Sequence, residues 1–185
     1  MDLAKNKLAS RREILFLFSA CVFPVHVWAI VNTLREVPSY ILRLSLFEIA
    51  SVFSYILFFA LIESIVIAAI IAIISVLLPA RLFKDFLVSQ GSLFLFITCV
   101  WILPIHYLPK IVQGFSFSLP ILIFLLWFWI TSYIGFMGAA YILIRRRINL
   151  RKSIRSFVEK LVVLSLFYLF LDLVSIFIIV YRNIS

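Results

Sequence analysis

Asp172, Glu63 and His26 stand inside long uncharged stretches of this sequence, and they are where chemistry could occur. An ionised carboxylate at the centre of an apolar membrane helix costs roughly 3 kcal/mol or more, so it persists only beside a partner or water. Proton relays and cation sites are built from such groups. Around Asp172 the spacing is regular. Ser165, Tyr168, Asp172 and Ser175 follow one another at i, i+3, i+7 and i+10, which puts all four on one side of a helix. That stripe would serve either as a hydrogen-bonded seam to neighbouring helices or as the polar lining of a proton or cation site.

Glu63 has a different neighbourhood. Ala60, Ser64, Ala68 and Ala72 recur every four residues beside it, a ridge of small side chains that lets a second helix come close. Glu63 and Asp172 fall at similar depth in their runs. Adjacent, the two acids would share a proton, as a proton relay or cation site requires; otherwise they face different neighbours. His26 follows Pro24, and Ser19, His26 and Thr33 repeat by seven along one helix face that also points inward. Asp172, Glu63, His26, Tyr168, Ser165 and Ser175 thus make up a candidate ion or proton site. Glu48 and His106, the latter between Pro104 and Pro109, make a candidate polar site at the outer rim, where anchoring at the interface is the plainer role for His106.

Other chemistry lacks its motifs. Metal-binding H-x-x-H, H-E-x-x-H and E-x-x-H spacings are absent, no serine or cysteine elbow supports nucleophilic attack, and 4 Gly leave no phosphate cradle. No catalytic residue, metal or cofactor is expected.

The elements that must position these side chains follow from composition. Of 185 residues, 65% are hydrophobic, 17% aromatic and 14% charged, and the mean hydropathy is +1.22. Soluble domains keep about a quarter of their residues charged, so soluble enzymes and binding modules are excluded. Helices of ~20 apolar residues cross a ~30 Å hydrocarbon core. The uncharged runs predict five spans, at about 13–34, 48–78, 90–109, 119–144 and 161–181, with an amphipathic outer segment at about 39–47 and a basic cytoplasmic segment at 145–160. The first apolar run continues through Ala29 to Leu34, which reads as an uncleaved span rather than a signal core.

The formal net charge is +9, but its placement argues for topology and against nucleic acid. With five crossings and the N-terminus inside, thirteen basic residues lie on the cytoplasmic side, seven of them between Arg145 and Lys160, against four outside, namely Arg35, Arg43, Lys110 and Arg182. That is the positive-inside bias. Arg145, Arg146, Arg147, Arg151, Lys152 and Arg155 are expected to meet anionic lipid headgroups of the inner leaflet. Cys21 and Cys99 lie inside apolar runs and act as small hydrophobes.

The expected fold is therefore all-α: one polytopic transmembrane helix bundle over residues 1–185, N-terminus cytoplasmic and C-terminus outside, in a membrane of the prokaryotic plasma-membrane kind. Short loops leave no extramembrane domain. The function expected first is that of a non-enzymatic subunit of a membrane complex or a small homo-oligomer, with lipids and other membrane subunits, or further copies, as partners. An ion- or proton-coupled transporter or channel using Glu63, Asp172 and His26 is the second reading. An intramembrane lipid-modifying enzyme using Glu48, His26 and His106 is the third.

Overall fold

In an apolar medium every backbone N–H and C=O needs an internal partner, and a single chain segment meets that need as a helix. The computed structural model describes residues 11–77, 87–112 and 119–184. Those residues form five α-helices: α1 (Arg11–Ile41), α2 (Leu46–Leu77), α3 (Leu87–Val112), α4 (Leu119–Arg146) and α5 (Ile148–Ile184). Four of them are long and apolar enough to cross a membrane, and α3 contains a shorter apolar stretch, Val88–Pro104. Large apolar side chains cover the outside, among them Phe124, Phe128, Leu166 and Phe177, as expected of a bundle solvated by lipid.

Pro24 and Pro38 lie inside α1, and neither stops it. The helix ends at a turn in which Arg43 and Leu44 both donate backbone N–H to the Tyr40 carbonyl, at 3.0 and 2.8 Å. A capping box then opens α2: the Ser45 N–H donates to Glu48 Oε2 at 2.7 Å, and the Glu48 N–H donates to Ser45 Oγ at 3.4 Å. Residues 39–47, expected to form a separate outer amphipathic segment, are therefore divided between the last turn of α1, the turn itself and the first residues of α2. The basic segment 145–160 is divided too. Arg145 and Arg146 end α4, Arg147 is the joint, and the rest is the first part of α5.

Side-chain pairs between helices give their directions. Ser19 meets Ser165 and His26 meets Asp172; the two pairs are seven residues apart on both helices, so α1 and α5 run parallel. Ser89 reaches the Arg151 carbonyl and Phe96 packs edge-on to Phe157, which makes α3 parallel to α5 as well. A four-residue connection returns the chain from α1 into α2, which packs along α1, and Phe47 at the start of α2 packs against Tyr181 near the end of α5, so α2 is antiparallel to both. Thr98 meets Tyr133 while Trp101 meets Trp129, the order of an antiparallel α3–α4 pair. Direction thus alternates from helix to helix.

The core lies around α1, which packs against α2, α3 and α5, whereas α4 sits at the edge against α3 and α5. Phe16, Ala20, Cys21, Val88, Leu95 and Val158 form its centre, with Ala68 of the small-residue ridge packed against it. Ala60 and Ser64 of the same ridge are buried. Gly91 lets α3 approach: a Cβ there would lie 3.0 Å from Leu17 Cδ1 and 3.4 Å from Ile71 Cγ2. The buried residues of α5 are Val158, Leu161, Ser165, Tyr168, Asp172 and Ser175, alternating steps of three and four, the period of a left-handed helix seam.

Candidate functional site

The seam between α1 and α5 brings the ionisable residues of the interior together. His26 sits midway along α1 and is completely buried, and Asp172 on α5 is 1% exposed. His26 Nε2 lies 3.0 Å from Asp172 Oδ1 and 3.1 Å from Oδ2, while Nδ1 donates to the Val22 carbonyl at 2.9 Å. Tyr168, one turn before Asp172, stacks on the imidazole with ring centroids 5.2 Å apart and planes 27° apart. Two turns away, Ser165 Oγ lies 3.0 Å from Ser19 Oγ and 2.8 Å from the Val162 carbonyl oxygen.

These partners set the proton count. The Val22 carbonyl can only accept, so Nδ1 carries hydrogen; the contact between Nε2 and the carboxyl group then needs one proton between them. Drawn as imidazolium and carboxylate or as imidazole and carboxylic acid, the unit is neutral overall. Asp172 therefore places no uncompensated charge inside the bundle, which meets the condition for an acid at that depth. Removing the shared proton would set a lone pair against an oxygen at one end of the ring or the other.

Several of the other buried hydroxyls are satisfied on their own helices. Thr33, Ser54, Ser64 and Ser175 each donate to the carbonyl four residues earlier, at 2.7 to 2.8 Å, a habit of serine and threonine in helices. Ser175 thus shares the buried stripe without joining the His26 contact. Gln90 and Ser92 differ: both are buried, and Gln90 Oε1 and Nε2 and Ser92 Oγ have no hydrogen-bond partner among the described residues. Single polar residues at the start of an apolar run carried no spacing signal that would have marked them.

Glu63 is elsewhere. The structure pairs Asp172 with His26, and the suggested carboxylate pair gives way because Glu63 is exposed on α2 instead of buried at the α1–α5 seam. It lines a groove of about 340 Å³ between α1 and α2, with Trp28, Asn32, Glu36, Tyr40 and Phe59. Asn32, Glu36 and Tyr40 were not singled out from sequence, since three polar residues near a helix end resemble an ordinary interfacial rim.

Glu48 is engaged as the cap of α2. The side chain of His106 lies outside the described residues. At the α4–α5 joint Arg145 donates to Tyr141 Oη at 2.9 Å, Arg151 to the Ile144 carbonyl at 3.3 Å, and Arg155 pairs with Glu159 at 3.5 Å. Arg146 and Arg147 line an open cavity of about 700 Å³ with Asn149 and Ser153, and Lys152 is exposed. Among the described residues, no three of His, Cys, Asp or Glu are grouped closely enough to hold a metal ion.

Comparison with family models, with curated proteins and with solved structures gave no match. The molecule so described is an all-helical bundle of apolar helices, several of them of membrane-spanning length.

Proposed function

We propose that the chain is a non-enzymatic, multi-pass membrane protein that works as a subunit of a membrane assembly, crossing the bilayer five times with its N-terminus in the cytoplasm. The observation that carries this reading is the sealed His26–Asp172 contact: the one buried acid among the described residues is consumed by a neighbouring helix, at 0% and 1% exposure, and serves to hold α1 against α5. What the chain has left to offer is its outer surface. Alternating helix direction supports five crossings, because α1 and α5 run parallel only if an odd number of crossings lies between them. The basic residues around the α4–α5 joint support a cytoplasmic side for that end, with anionic lipid as their partner.

A second reading, proton-coupled transport, is favoured by the shared proton of the same pair. Purified protein in liposomes loaded with a pH-sensitive dye separates the two. The subunit reading expects no dissipation of an imposed pH gradient above that of empty liposomes, and an identical trace from Asp172→Asn. Proton flux in the wild type that disappears in a folded Asp172→Asn variant would overturn it in favour of transport.

A further inference from the structure

We infer that the groove between α1 and α2 receives a transmembrane helix of a different membrane protein, one that carries a lysine or arginine at mid-depth to pair with Glu63. The inference rests on the subunit reading above and names the partner's chemistry. Glu63 is the eighteenth of the 32 residues of α2, so it lies near the middle of that span. It is exposed, flanked on its own helix by Phe59, Ile62, Val66 and Ile70, each at least 40% exposed. Those apolar neighbours are suited to lipid or to another helix; the carboxylate is suited only to the second.

The groove adds direction. It runs from Tyr40 and Glu36 near the end of α1 down to Glu63, and Asn32 lies between. Asn32, Glu36 and Tyr40 recur every four residues on the α1 wall and Glu63 stands on the α2 wall, so an entering helix would present a cation at mid-depth and polar groups toward the rim. A second copy of this chain does not supply that cation at mid-depth. The apolar runs 13–34, 48–78, 90–109, 119–144 and 161–181 contain no Lys or Arg, and His26, the one histidine near mid-depth, is bound to Asp172. Charge complementarity therefore selects a different chain.

The test uses the full-length protein in lipid vesicles and a synthetic leucine–alanine transmembrane peptide with one central lysine, read by energy transfer between labels. A matched peptide with leucine at that position is the reference. Wild type is expected to bind the lysine peptide at least about tenfold more tightly than the reference, and Glu63→Gln to lose the preference while keeping its thermal transition, because Glu63 is not part of the core. Equal binding of both peptides, or a preference that survives Glu63→Gln, would overturn the proposal. Self-association of the labelled chain that Glu63→Gln abolishes would overturn it as well, assigning the groove to a second copy. Native mass spectrometry of wild type and Glu63→Gln from the source membrane separates the two levels. A heteromeric complex present in both variants removes the groove assignment and leaves the subunit reading standing, and a solitary chain in both removes the two together.

Discussion

Replacing Asp172 by Asn leaves an amide that can donate to Nε2 of a neutral His26 while Nδ1 still donates to Val22, so the direct contact between the helices keeps a hydrogen bond. Replacing it by Ala leaves Nε2 buried with nothing to meet. The expected loss of stability is about 1–3 kcal/mol for Asp172→Ala and under about 1 kcal/mol for Asp172→Asn, measured by unfolding of the detergent-solubilised protein. Equal losses would mean that the hydrogen bond to the ring contributes nothing. Spacing alone made Asp172 legible, because Ser165, Tyr168, Asp172 and Ser175 on one helix declare their common face. Spacing could not say which helix that face meets. The azimuth of one helix relative to another is a tertiary quantity, so sequence left open whether Glu63 and Asp172 meet or face different neighbours, and only the packed bundle places His26 at 3.0 Å from Asp172.

At the scale of elements the helices are held by a few close approaches. Gly91 is one: the nearest obstacle to a Cβ is Leu17, itself 1% exposed and with little room to yield. Gly91→Ala is expected to lower the unfolding free energy by about 1–3 kcal/mol through overpacking. Gly135→Ala in α4, where a Cβ would meet nothing within 4 Å, is expected to leave it unchanged or slightly higher. Similar effects at the two glycines in a detergent unfolding assay would argue against the tight contact of α3 with α1. Helix existence was readable from the uncharged runs, because length and the scarcity of charge fix what can lie in lipid. The ends were less so. Nothing in the apolar pattern marks where α1 yields to α2 until Ser45 and Glu48 are seen to bond reciprocally, and the outer segment expected from about residue 39 begins inside α1, which runs to Ile41.

For the whole molecule the governing feature is that α1 and α5, at opposite ends of the chain, lie side by side and point the same way, joined by Ser19–Ser165 and His26–Asp172. Counting charges predicts five crossings with the basic cluster inside, while length and apolarity alone give four helices of spanning length plus the shorter Val88–Pro104 stretch of α3. The parallel seam bears on that difference. If α3 did not cross, α5 would traverse the bilayer opposite to α1, and neither pair of residues could meet with its present spacing.

Which side each connection faces therefore decides between five crossings and four, and cysteine accessibility in sealed membrane vesicles tests it most directly. In a background with Cys21 and Cys99 replaced, single cysteines would be placed at Leu42 in the α1–α2 turn, Asn149 just past the α4–α5 joint, and Ile184 at the end of α5, all exposed positions. Leu42→Cys and Ile184→Cys are expected to label from one face of the membrane and Asn149→Cys from the other, the face that also labels Lys7→Cys. Labelling of Leu42→Cys and Asn149→Cys from the same face, with Ile184→Cys opposite, would mean that α3 does not cross and would contradict both the parallel seam and the assembly built on it.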